Sequence, residues 1–200
     1  MQAERENVYE VMSTEHELKC LLTEEEYGQL LALLEPLPYL REHQRNYYYD
    51  TRLGKLRRDN ITMRIREKNG KLKGTIKHHL VEKHCSVEKS FRVDSIPDIM
   101  AYEEDLVYLF GDLMTCRTTF FLSDNVKIML DRNEYQHCVD YELELEYPAE
   151  FFEGAEGIMF FLKKIIQIDR RDAPSSKSER FFQKKEKQYQ TPTLNVRVER

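Results

Sequence analysis

Polar and apolar positions alternate strongly over Thr14–Cys20, which predicts a strand. Thr23-Glu24-Glu25-Glu26 has the form of a capping box, and the helix it opens runs to about Glu35, where Pro36 and Pro38 stop it. Arg45–Tyr49 predicts a second strand that ends in a turn at Asp50-Thr51. Ile61–Lys68 and Lys71–Leu80 flank Asn69-Gly70, the pairing favoured in a two-residue hairpin turn. Cys85–Val93 is strand-like, whereas Pro97–Phe110 has helical spacing with Gly111 as its stop. Leu113–Leu122 and Val126–Asp131 read as strands around Ser123-Asp124-Asn125, and Val139–Tyr147 as another closed by Pro148. Ala155–Ile168 is an amphipathic helix, and Ser176-Lys177-Ser178-Glu179 is a second capping box opening a helix to about Gln188. The aromatic residues of Tyr102–Phe110 and Phe151–Leu162 are expected to pack these helices on the outside of the sheet. Residues 1–12 and 189–200 carry no pattern and read as a frayed start and a loose tail. Many antiparallel strands with a few helices predict an α+β fold in which the sheet closes on itself, because closure removes exposed edges.

Composition narrows the class. The 200 residues fit one domain, with a core over about residues 13–188. No apolar run exceeds Leu30–Leu34 or Ile158–Leu162 in length, far short of the roughly 20 residues that span a bilayer. Met1–Glu6 has no apolar stretch of the secretory kind, so a soluble cytoplasmic protein is expected, with no membrane partner. A net charge of −5 argues against a nucleic-acid partner. Cys20, Cys85, Cys116 and Cys138 are widely spaced, and the pairs His84-Cys85 and His137-Cys138 point to opposite faces of any strand, so neither a disulfide framework nor a zinc site is expected.

The net charge conceals segregation: Arg41–Lys83 is rich in Lys and Arg, Asp140–Glu156 almost purely acidic. Side chains on a strand share a face every second position. One face of the predicted strands therefore carries Glu15, Glu17 and Lys19; Arg64, Arg66 and Lys68; Lys71, Lys73, Thr75, Lys77 and His79. It continues with Ser86, Glu88, Ser90 and Arg92, then Thr115, Arg117 and Thr119, Lys127 and Asp131, and finally Asp140, Glu142, Glu144 and Glu146. Each strand alone fits an ordinary sheet with a solvated outer face. Together they fit it badly, because like carboxylates about 7 Å apart along one strand repel unless a cation lies among them. A polar interior resolves the conflict. Clustered carboxylates suit a hard divalent ion such as Mg²⁺, and the facing Arg and Lys suit phosphate oxygens. There is no Gly-rich phosphate loop, so side chains must cradle the phosphates.

Glu15-His16-Glu17-Leu18-Lys19 resembles the E-x-E-x-K signature of the CYTH family, the triphosphate tunnel metalloenzymes that include class IV adenylyl cyclases, thiamine triphosphatases and inorganic triphosphatases. The further motifs follow in the family's order. Tyr48-Tyr49-Asp50-Thr51, Arg64-Ile65-Arg66, Thr75-Ile76-Lys77, Glu88, Arg117, Leu130-Asp131, Glu142-Leu143-Glu144 and Ser176-Lys177-Ser178-Glu179-Arg180 are each similar to a family element. The flanking residues are most like those of small bacterial members of Gram-positive type. The resemblance implies a tunnel of about eight antiparallel strands with helices outside. It implies that Lys19, Arg64, Arg66, Lys77, Arg117, Lys177 and Arg180 bind triphosphate, and that Glu15, Glu17, Asp131, Glu142 and Glu144 hold Mg²⁺ or Mn²⁺. Glu15, Lys19 and Glu142 would take part in catalysis, with Glu88, Glu146 and Lys73 more peripheral. The implied activity is metal-dependent hydrolysis of inorganic tripolyphosphate or an organic triphosphate such as thiamine triphosphate. A cyclase making cyclic AMP from ATP and a non-catalytic polyphosphate or nucleotide binder remain as alternatives. The partner expected is a small-molecule triphosphate, bound by a monomer or homodimer. The tyrosine run Tyr47–Tyr49 could stack on a base but reads more readily as core.

Overall fold

The computed structural model describes residues 9–80, 84–168 and 175–190. Its strands are β1 (Tyr9–Leu22), β2 (Tyr39–Asp50), β3 (Ile61–Lys68), β4 (Lys71–His79), β5 (Cys85–Arg92), β6 (Ile99–Tyr102), β7 (Asp105–Phe121), β8 (Lys127–Tyr135) and β9 (Cys138–Tyr147). The helices are α1 (Glu24–Leu34), the single turn α2 (Lys55–Arg58), α3 (Phe152–Ile165) and α4 (Lys177–Gln190). The strands pair antiparallel in the order β2-β3-β4-β5-β1-β9-β8-β7, and β7 returns to pair with β2, so eight strands close a barrel with β6 hung outside on β7.

Local sequence explains the corners. Thr23 and Glu26 bond reciprocally to each other's backbone amides, forming the capping box that starts α1. Asn69 and Gly70 both have positive φ, 52° and 71°, as the tight β3–β4 hairpin requires. The Asp of the Tyr-Tyr-Asp-Thr segment serves structure: buried Asp50 accepts bonds from the Thr51 and Leu56 amides and from Arg57 Nε, tying the end of β2 to α2.

The usual inside-out rule is inverted. Apolar positions of the strands face outward and are covered from outside. Leu18, Cys20, Leu22, Ile128, Leu130, Leu143 and Leu145 pack beneath Leu30 and Leu34 of α1 and Ala155, Met159 and Leu162 of α3. Met63, Ile65 and Ile76 pack with Tyr49, Leu56, Tyr102 and Val107 on another side. Gly74 lies directly under the Phe91 ring, and a Cβ there would come within 2.3 Å of it. Gly74→Ala is expected to lower stability by about 1–3 kcal/mol through overpacking, read from the urea midpoint.

Several elements differ from the sequence reading. Residues 97–110 do not form a helix. They form β6, a turn at Glu103 with φ 52°, and the start of β7. Tyr102, Leu106 and Phe110 recur at helical spacing, but cross-strand pairing of Leu109 with Tyr49 and Tyr108 with Asp50 overrides that local pattern. Gly111 is a β-bulge, where Tyr48 pairs with Gly111 and Tyr49 with Leu109, and not a helix stop. The aromatic residues of 102–110 accordingly decorate a hairpin. In addition, β1 begins at Tyr9, so residues 9–12 belong to the sheet, and α4 continues to Gln190. The expected tail beyond it, 191–200, and residues 1–8 lie outside the described residues.

Candidate active site

Strand register brings the charged residues together. Lys19 lies opposite Glu144 across β1–β9, Lys77 opposite Glu88 across β4–β5, and Asp131 opposite both Arg117 and Glu142 on its two neighbouring strands. Their side chains share the inner face. They line a chamber of about 140 Å³, whose walls include Glu15, Glu17, Lys19, Arg64, Arg66, Lys77, Glu88, Arg117, Glu144, Glu146 and Lys177. Phe181 of α4 packs on Tyr48 and Tyr135, ring centroids 5.2 and 6.4 Å away, and this inward apolar cluster limits the chamber on one side. On another side it opens into a vestibule of about 240 Å³, sharing Glu17, Lys19, Thr62, His79, Ser176 and Ser178 with it.

The contacts form linked clusters. Lys77 Nζ donates to Glu15 Oε2 at 2.9 Å and Glu17 Oε1 at 2.8 Å. Lys19 Nζ lies 2.9 Å from the same Glu17 oxygen and 3.5 Å from Glu144 Oε1. Burial alone would raise the Glu17 carboxyl, but Lys19 and Lys77 outweigh it and hold the group down at about 2. Arg117 grips Asp131 with two parallel bonds, Nε to Oδ1 at 2.7 Å and Nη2 to Oδ2 at 2.6 Å, and reaches Glu144 Oε2 at 2.5 Å. Asp131, Glu142 and Glu144 offer oxygens within 4.8 Å of one another. Three converging carboxylates are a hard oxygen donor set, which fits Mg²⁺ or Mn²⁺. Among the described residues Cys20, Cys85, Cys116 and Cys138 form no disulfide.

The arginines on β3 differ from these saturated pairs. Arg64 Nη2 is 3.6 Å from Glu88 Oε2, and its buried Nε has no hydrogen-bond partner. Arg66 donates from Nε to Asn46 Oδ1 at 3.0 Å, and among the described residues no carboxylate lies within ion-pair distance of it. Burial, together with the like charges of Arg64 and Arg117, pushes the Arg66 guanidinium down to about 9. An anion entering the chamber would offer acceptors to Arg64 and Arg66 and relieve this repulsion.

Not every expected residue faces the chamber. Asp131 and Glu142 are fully buried behind Lys177 and Arg117. Arg180 is turned from the chamber lining and is bound to Asp140 Oδ2 at 2.9 Å and Glu142 Oε2 at 3.1 Å. Glu146 pairs with Lys127 at 3.0 Å near the rim, and Lys73 lies 4.0 Å from Glu88 with more than half its side chain exposed. Tyr48 and Tyr49 are core, each 1% exposed. Gln44 and Asn46, which share the inward parity of β2 with Tyr48 but carry no charge signal in the sequence, also line the chamber, as do Ser176 and Ser178 of the second capping box. Sequence reasoning passed over the Thr62–His79 contact at 3.1 Å.

His79 gives a pH test. Burial, then Lys77 and Lys19, push its imidazole down to about 4. The folded protein keeps it neutral, whereas the unfolded chain takes up a proton below about 6.5. Stability is therefore lost as the pH falls from about 6.5 towards 4, with a slope of up to about 1.4 kcal/mol per unit, and the His79→Asn variant is expected to show a shallower slope in that window. Chemical denaturation at a series of pH values measures it.

The closed barrel thus turns both cationic and anionic side chains inward onto one chamber. Residues 13–176 match the CYTH domain family, and the chain belongs to it. It is similar to YjbK of Bacillus subtilis (strain 168), a protein provisionally described as a triphosphatase, with 29% identity over 187 residues covering 86% of this chain and 96% of the relative. Among solved structures it resembles a provisionally described adenylate cyclase from Bacillus halodurans, with a TM-score of 0.69 and 22% identity over 86% of this chain and 98% of that one. It also resembles HpAC1 from Hippeastrum, provisionally an adenylyl cyclase and described as having a dominant triphosphatase activity, with a TM-score of 0.67 and 20% identity over 86% of this chain and 95% of that one. The structural likenesses establish the barrel fold. Among the described residues no helix is long and apolar enough to cross a membrane.

Proposed function

We propose that the chain hydrolyses a triphosphate inside the barrel, with Mg²⁺ or Mn²⁺ held by Asp131, Glu142 and Glu144. The observation that carries this reading is the trio Arg64, Arg66 and Arg117 lining one chamber, of which Arg66 has no acid at ion-pair distance among the described residues and Arg64 retains an unbonded buried donor. Such a cluster costs the fold stability unless an anion joins it.

Phosphoryl transfer asks a protein mainly for positioning and neutralisation of charge. Arg64, Arg66 and Arg117 bind phosphoryl oxygens and stabilise charge on the transferring group. Lys19 and Lys77 fix the remainder of the phosphate chain from β1 and β4. Glu15, one third exposed at the chamber edge, is the carboxylate placed to accept a proton from an attacking water. A divalent ion, when bound, polarises a phosphoryl oxygen. The names of YjbK and HpAC1 support the same activity. The cyclase alternative loses support from Tyr47–Tyr49, since two of those rings are packed in the core.

Release of orthophosphate from tripolyphosphate, ATP and thiamine triphosphate, with Mg²⁺ or Mn²⁺, tests the proposal. Release from any one of them is the expected result. Cyclic AMP from ATP without orthophosphate would transfer the chain to the cyclases. A triphosphate-dependent rise in Tm with no product would make it a binding protein.

A further inference from the structure

The three carboxylates assigned to metal already hold a cation. Lys177 Nζ lies 2.8 Å from Asp131 Oδ2, 2.5 Å from Glu142 Oε2 and 2.5 Å from Glu144 Oε1. Its position is built, not incidental. Ser176 and Glu179 form a capping box, with the Glu179 amide donating to Ser176 Oγ at 3.2 Å and the Ser176 amide to Glu179 Oε2 at 2.7 Å. That box starts α4 and sets Lys177 as its first residue. Farther along the same helix, Arg180 and Phe181 anchor α4 to Asp140, Glu142 and the Tyr48 ring.

A divalent ion needs those oxygens at about 2.0–2.1 Å, so ion and ammonium cannot share them. Lys177 itself lines the chamber where the phosphates would lie, so a swing of its four-carbon stem could exchange carboxylate partners for phosphoryl oxygens. We propose that Lys177 is a displaceable internal cation, which occupies the metal position in the free protein and is transferred to the phosphate chain as metal and triphosphate enter together. This rests on the function proposed above. Its consequence is coupling: metal alone must expel a tethered competitor, whereas metal arriving with triphosphate gives that competitor a new partner.

Mn²⁺ binding to the full chain, followed by electron paramagnetic resonance without triphosphate, tests it. Lys177→Met keeps the stem and removes the competitor, and is expected to bind Mn²⁺ about tenfold more tightly than the parent. Lys177→Arg retains a cation and should remain near the parent value. Lys127→Met removes a nearby lysine that pairs with Glu146, so it reports any general effect of charge. Equal tightening in Lys127→Met and Lys177→Met, or none in Lys177→Met, overturns the inference and leaves the proposed function standing. Absence of Mn²⁺ binding from parent and variants, even with tripolyphosphate, overturns both. The parent supplies a second measurement that needs no variant. Amine acetylation of Lys177, quantified by peptide mass spectrometry, should rise several-fold when Mn²⁺ is added while Lys127 stays constant. An unchanged Lys177 rate overturns the inference.

Discussion

Arg66→Ala is expected to leave the free protein as stable as the parent, or more so, while lowering triphosphate turnover by about 10²–10³-fold. The two signs come from one fact. Arg66 is a half-buried guanidinium with Asn46 as its hydrogen-bond acceptor and two other guanidiniums nearby, and desolvation and those neighbours push it down to about 9. A partly desolvated charge among like charges is a burden on the fold, so deleting it relieves desolvation and repulsion. In the proposed turnover the same charge is a preorganised partner for a phosphoryl oxygen. Most substitutions that weaken an enzyme by damaging its structure lower stability too; this one separates the effects. The urea midpoint, the Tm rise caused by tripolyphosphate, and kcat/KM for phosphate release read it together. The variant should keep its midpoint and lose most of the Tm rise. A destabilised variant would show Arg66 to be a structural residue, and parental turnover would remove it from the proposed site.

Much of this arrangement was legible in the sequence because it is written at period two. Alternation on β3, β4 and β9 puts Arg64 with Arg66, Thr75 with Lys77 and Glu142 with Glu144, and a one-residue slip would reverse both faces at once. The capping boxes at Thr23 and Ser176 were equally readable, since they depend on residues three apart. What the sequence does not carry locally is the partner across the barrel. Residues 97–110 show helical spacing and become a hairpin because β2, some fifty residues earlier, pairs with them. The same limit applies to the site. Arg180 stands three residues from Lys177 in one motif, yet Lys177 meets the acidic triad from the chamber whereas Arg180 joins Asp140 and Glu142 outside the lining. Only the placement of α4 against the barrel end separates them. Asn46 was passed over because an uncharged residue on a strand carries no charge signal, although it is what orients Arg66.

Arg117→Ala should have the opposite effect on the fold, a loss of about 3–5 kcal/mol. Arg117 makes the two-pronged bond to Asp131, which has no solvent exposure, and also bonds Glu144. Its removal strands two carboxylates that must then share Lys177 and Lys19. Burial acts to raise the Glu144 carboxyl, and Lys177, Arg117 and Lys19 together hold it well below the ordinary range. The parent's advantage from this group is thus present above the ordinary glutamate value of about 4.3 and fades as the pH falls below it, so parent and variant should converge in acid. Divalent metal offers a separate rescue. If Asp131 and Glu144 are ligands, Mg²⁺ or Mn²⁺ replaces the missing positive charge, and at one hundred times its dissociation constant the ion restores about 2.7 kcal/mol. Urea unfolding of Arg117→Ala with and without Mn²⁺ measures the recovery, and Lys127→Met serves as the comparison, because Lys127 pairs with Glu146 at the rim and not with the triad. Recovery in Arg117→Ala that exceeds any metal effect on Lys127→Met supports the triad as the metal site. Equal metal effects on both variants would mean that the ion acts by general screening, and the assignment of Asp131 and Glu144 as ligands would fall.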